Sequence, residues 1–85
     1  SGYRYNKTIR NKNGVFCMQF KKGRNIVYVA WTTGKTPATY ELALPDGQWE
    51  TKPLMGEANT VNSSNNTAVT LQLQSMPLIV KSVSD

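Results

Sequence analysis

The residues able to do chemistry in this 85-residue chain are few, and their spacing is poor for it. There is no histidine, the side chain that most often carries protons near neutral pH. One cysteine, Cys17, lies between Phe16 and Met18 in an alternating apolar run. With no histidine to activate it, that thiol reads as a small apolar side chain. A lone cysteine also excludes an internal disulfide and a zinc site built on thiolates. Glu41 and Glu50 flank Pro45-Asp46-Gly47 and would face one another if the flanking strands formed a hairpin, as paired catalytic carboxylates do. Both stand at outward or polar positions near Thr39, Thr51 and Lys52, where solvated surface charge is the simpler reading. Lys22-Gly23-Arg24 and Gly34-Lys35-Thr36 look like anion cradles only on the surface. Neither has the upstream glycine or the strand-to-helix setting of a phosphate loop, so both read as ordinary turns. No acidic series has calcium-loop spacing. The expected catalytic residues, metal ligands and cofactors are therefore none.

The aromatic residues are the remaining candidates. Trp49 follows a tight turn between Gln48 and Glu50, where a flat ring would stack on a ligand, cover a neighbouring domain or pack locally. Tyr3 and Tyr5 lie in a strongly basic stretch, where they would contact a ligand or a neighbouring domain. Trp31 shares a strand face with Val27 and Val29. Burying an indole removes about 150–250 Å² from water, roughly 4–6 kcal/mol gross, so Trp31 is expected in the core or at an interdomain contact.

Charge is unevenly distributed. Residues 1–40 carry +8 with no acid, and the rest carry −3, which leaves a net +5. Such asymmetry fits a polyanion partner, a basic face docked on an acidic neighbour, or lysines that guard a strand edge. Nucleic acid is the weakest of these, since no RNA-recognition or oligonucleotide-fold signature accompanies the bases. No segment approaches the roughly 20 apolar residues of a membrane span, and no signal-peptide pattern is present. Three glycosylation triplets, at Asn6, Asn62 and Asn65, do not identify a compartment.

The elements that must position these residues are β-strands. Alternation places strands at 3–9, 15–21, 26–32, 38–44, 48–52, 58–61, 67–74 and 78–83. Asn13-Gly14 suits a type I′ turn, and Pro45-Asp46-Gly47 is a turn by its own chemistry. The strand at 26–32 is apolar on both faces, as a central strand covered on each side would be. No segment has a helical period. About eight short strands with turns between them predict an all-β fold, an antiparallel β-sandwich, with a closed barrel as the next solution.

Several motifs then occur in a meaningful order. Val27-Tyr28-Val29-Ala30-Trp31-Thr32 is followed by Pro53-Leu54-Met55-Gly56. Val69-Thr70-Leu71-Gln72-Leu73 then leads into Met76-Pro77-Leu78-Ile79-Val80. Together they resemble the C-terminal β-sandwich of (β/α)₈-barrel glycoside hydrolases, over roughly residues 16–83. Position 53 is Pro where that family often has Asp, so the second motif matches only through Gly56. The resemblance implies one non-catalytic accessory domain at 1–85, a piece of a longer multidomain protein. Its implied partner is a catalytic barrel in the same polypeptide, docked through the Trp49 or Tyr3/Tyr5 surface. A polysaccharide-degrading parent would imply a secreted or periplasmic setting. A carbohydrate-binding module built on exposed aromatics is the alternative, with a basic nucleic-acid-binding β-domain behind it. The docking reading carries one structural expectation, an apolar or aromatic patch left outside the core.

Overall fold

The computed structural model of the chain describes residues 2–64 and 68–83. It holds eight strands: β1 (Arg4–Lys12), β2 (Val15–Lys22), β3 (Asn25–Thr32), β4 (Ala38–Ala43), β5 (Gly47–Pro53), β6 (Asn59–Ser63), β7 (Ala68–Leu73) and β8 (Leu78–Ser82). Each coincides with a segment expected from alternation, with ends shifted by up to three residues. The largest shifts lengthen β1 to the Asn13 turn and move β6 onto Asn62 and Ser63, which the sequence marks as turn residues. Ser63 is buried, and its hydroxyl donates to the Leu44 carbonyl at 2.9 Å, which draws a polar residue into a strand. The Asn65 triplet lies outside the described residues.

All pairings are antiparallel. Six strands form one sheet in the order β1-β2-β3-β8-β5-β6, and β4 and β7 form a second. The two sheets make a sandwich, and no closed barrel forms. Tight turns join the first three strands. Asn13 and Gly14 both have positive φ, at 55° and 75°, the geometry of the expected type I′ turn. Gly23, at φ 61°, turns β2 into β3.

β4 and β5 are not a hairpin, contrary to the expectation that set Glu41 opposite Glu50. At Leu44-Pro45-Asp46 the chain leaves the small sheet and enters the large one. Leu44 is buried at the crossing, and the Trp49 indole N–H donates to the Pro45 carbonyl at 3.0 Å. Glu41 therefore lies on β4 opposite Thr70, while Glu50 lies on β5 opposite Lys81 and Thr60. Two carboxylates on different sheets are not an acid–base pair.

The core fills the space between the sheets. From the large sheet come Val15, Cys17, Tyr28, Ala30, Trp49 and Val80; Leu42, Leu44, Leu71 and Leu73 close it from the other side. One polar pair is buried with them: Gln19 donates to the Tyr28 hydroxyl at 3.0 Å and accepts from Asn6 at 2.5 Å. Burial without a partner would cost each amide group about 1–3 kcal/mol, so these bonds are part of the packing.

Candidate functional site

Three of the sequence-derived candidates lie in different places. Trp49 is 3% exposed, with its ring centroid 5.8 Å from that of Tyr28 in a tilted contact. The expectation that it presents a flat ring to a ligand or a neighbouring domain is thereby corrected. The cause is its register: Trp49 pairs with Val61 and Ser82 on the inward side of β5, where the indole closes the sandwich beneath the Pro45 crossing. Tyr3 and Tyr5 are exposed, at 45% and 56%. The Tyr5 hydroxyl shares a 2.6 Å hydrogen bond with Thr8, and its ring meets Phe20 edge to face at 6.0 Å.

Tyr5 is the margin of something larger. On β2 the inward residues are Val15, Cys17 and Gln19, which leaves Phe16, Met18 and Phe20 on the outer side. Register sets these opposite Trp31, Val29 and Val27 of β3. Three rows therefore cross the outer face of the large sheet. The first runs Tyr5, Phe20, Val27; the second Thr8, Met18, Val29, Ile79; the third Asn11, Phe16, Trp31. Phe16, Met18, Phe20, Val27, Val29, Trp31 and Ile79 are all partly buried, since they shield one another with no second layer above them. Phe16 and Trp31 stack at 5.4 Å with their planes 15° apart. Toward β5 the first two rows turn polar: Lys81 meets Glu50 at 3.6 Å, and Lys52 stands opposite Ile79.

Alternation along the chain sets Val27, Val29 and Trp31 on one face of β3, but nothing in it marks that face, or Phe16, Met18 and Phe20 beside it, as a site. Their signal is apolar residues at both parities of two adjacent strands, with the larger ones at one parity. The two-sided apolar character of β3 is present, yet only one side is covered. The expected patch outside the core is this face, and Trp31 belongs to it rather than to the interior.

The cations fall elsewhere. Register puts Arg4, Lys7, Arg10 and Lys12 of β1 opposite Lys21, Gln19, Cys17 and Val15, which is the inward parity of β2. They line the edge strand on the side away from the aromatic rows. β1 also carries irregularities between Tyr5 and Lys7 and between Thr8 and Arg10, so bulges and lysines together make it a poor template for another strand. The β1 cations and the aromatic rows are thus on opposite sides of the sheet, while Lys22, Lys52 and Lys81 border the rows on the outer side.

Nothing reactive adjoins the face. Burial pushes the Cys17 thiol up to about 11, where it stays protonated and inert at neutral pH. Tyr40, across the core, is also raised, chiefly by burial and next by Cys17, with Arg10 opposing. No group of three or more metal-binding side chains occurs among the described residues, and no helix there is long and apolar enough to cross a membrane.

No protein-family model and no curated protein matches the sequence. Among solved structures, the fold is similar to part of an Anoxybacillus α-amylase, described as representing a new glycosyl hydrolase subclass. The TM-score is 0.67 at 14% identity, over 98% of this chain and 18% of that one. This chain spans less than a fifth of that protein, and at such identity the likeness establishes the β-sandwich fold.

Proposed function

We propose that this chain is a non-catalytic accessory domain of a glycoside hydrolase, a C-terminal β-sandwich that packs on a catalytic (β/α)₈ barrel in the same polypeptide and stabilises it. The observation that carries the reading is the outer face of the large sheet, apolar across β2 and β3 with Tyr5 and Ile79 at its margins and covered by no layer among the described residues. Water-facing sheet faces in antiparallel sandwiches are ordinarily polar. Three strand spacings by five residues, with side-chain reach, make a patch of roughly 400 Å². Covered by a complementary surface it removes about twice that area, within the roughly 600–1,500 Å² of interdomain contacts. The fold similarity to a small part of a long α-amylase chain supports the same assignment.

The stacked Phe16 and Trp31 rings argue against the sugar-binding alternative. Rings that face each other have spent a π-face that a saccharide platform would need open. Titrating soluble glycans against tryptophan fluorescence is expected to give no change; a saturable response would restore that alternative.

The docking reading is tested in the longer polypeptide by Trp31→Lys and Phe16→Lys. Each is expected to lower the stability of the joined catalytic domain by at least about 2 kcal/mol, as central interface anchors do. Turnover at low temperature should be retained. A catalytic domain whose melting is indifferent to both changes would overturn the reading.

A further inference from the structure

We propose that the docking surface turns the corner at the Trp31 end of the large sheet and continues over Leu54, Met55 and Met76, so that the catalytic domain grips the end of the sandwich as well as its face. This rests on the docking reading above and extends it to a second set of residues.

Apolar residues continue beyond Trp31. Ala30 pairs with Leu78, Leu78 pairs with Pro53, and the Leu54 N–H donates to the Pro77 carbonyl at 3.1 Å. Leu54 thus meets Pro77, which directly precedes Leu78, so both stand at the strand ends beside Trp31; there the regular β3–β8 pairing stops and the Thr32 N–H donates to the Gln74 carbonyl at 2.9 Å. The two rows beside it end in Lys81, Glu50 and Lys52, so the apolar surface widens only here. Beyond Leu54, which is 60% exposed, stand Met55 at 77% and Met76 at 40%. Their loop is built to hold them there: Gly56 has φ 145°, and a Cβ at that position would lie 3.2 Å from Pro53 Cγ.

Around the corner the two methionines flank a cavity of about 310 Å³, lined also by Pro53, Gln72, Gln74 and Leu78. Its Pro53, Leu78 and methionine lining fits an aliphatic or aromatic side chain presented by the catalytic domain, while the Gln74 amide can hydrogen-bond the backbone that presents it; the Gln72 amide already donates to the Thr39 hydroxyl at 3.3 Å. Flexible thioethers suit a surface that must adapt to a partner. The face alone reaches only the lower half of the usual interdomain range, and this extension adds contact where the charged rows cannot.

All three methionines of the chain lie on the combined surface, Met18 on the face and Met55 and Met76 beyond its corner. Oxidation of each by dilute hydrogen peroxide therefore maps it, read by mass spectrometry on the 85-residue chain and on the longer polypeptide that joins it to its catalytic domain. The expected result is that all three oxidise about tenfold more slowly in the longer polypeptide. Protection of Met18 with Met55 and Met76 unchanged would overturn this inference and leave the docking reading standing. Protection of neither set would overturn both. Protection of Met55 and Met76 without Met18 would move the contact off the sheet face and overturn the continuous surface.

Discussion

The two faces of β2 and β3 are built from opposite materials. Inward, between the sheets, stand Cys17 and Ala30, each 0% exposed, with Val80 of β8 beside them. Outward, at the neighbouring positions, stand Phe16, Met18, Val29 and Trp31, larger and only partly covered. Tyr28 is the one large ring that this strand pair turns inward, where it meets Gln19 and Trp49. The inward side is covered by the small sheet, whereas no strand among the described residues covers the outward side. The inner face belongs to the core, and the outer face leaves large apolar side chains only partly covered.

That contrast breaks first at the core. Leu73→Ala, at a fully buried position, is expected to cost about 2–5 kcal/mol, a large share of the stability of so small a domain. Urea denaturation of the 85-residue chain checks it. A loss below 1 kcal/mol, by the usual standard of core truncations, would mean the sheets are loosely packed.

A pH series sharpens the inner side. The folded thiol of Cys17 titrates near 11, above its ordinary value of 9.0, because burial disfavours the thiolate. The folded state then holds its proton more tightly than the unfolded state. Its contribution is fully present below pH 9 and is lost as pH rises toward 11. At about 1.4 kcal/mol per unit, the expected loss is about 2–3 kcal/mol over that window. Tyrosines titrate in the same range, so the measurement is the difference between the wild-type and Cys17→Ala denaturation midpoints from pH 8 to 11. Parallel curves would show that Cys17 is not shielded from water.

The outer face predicts a smaller change of a different kind. In the 85-residue chain Trp31→Lys forfeits one ring stack, about 0.5–1.5 kcal/mol, and leaves the core intact. Urea denaturation of the 85-residue chain reads this loss directly. A loss as large as that of Leu73→Ala would make the two faces equivalent and erase the contrast. Smallest of all, Glu50→Gln removes the partner of Lys81 on an exposed part of that face, and the expected change is within about 0.5 kcal/mol. A change above that in a salt-dependent thermal melt would mark the pair as more than surface charge.

Much of the fold was legible along the chain. Val69, Leu71 and Leu73 alternate with Thr70, Gln72 and Gln74, and Asn13-Gly14 forms the type I′ turn its chemistry favours. Strand pairing was less legible. Ala38–Ala43 and Gly47–Pro53 are separated by a turn sequence that fits a hairpin, yet they belong to different sheets. Local turn chemistry is the same whether a chain doubles back or crosses between layers; the choice depends on Trp49 finding Tyr28 and Pro45, and on Ser63 finding Leu44. The candidate site was half legible for a related reason. Alternation separates two faces but does not say which one the second sheet covers.

What the sequence by itself determined is an all-β chain of eight strands, with no histidine, one cysteine and its bases gathered in the first half. Those properties follow from residue type and local period, which need no knowledge of distant neighbours. The tertiary structure decided that Trp49 is core and Trp31 is surface, although both are tryptophans on strands. The reason is long-range pairing: β5 turns its indole beneath the small sheet, whereas β3 turns its own to the side that has no layer over it.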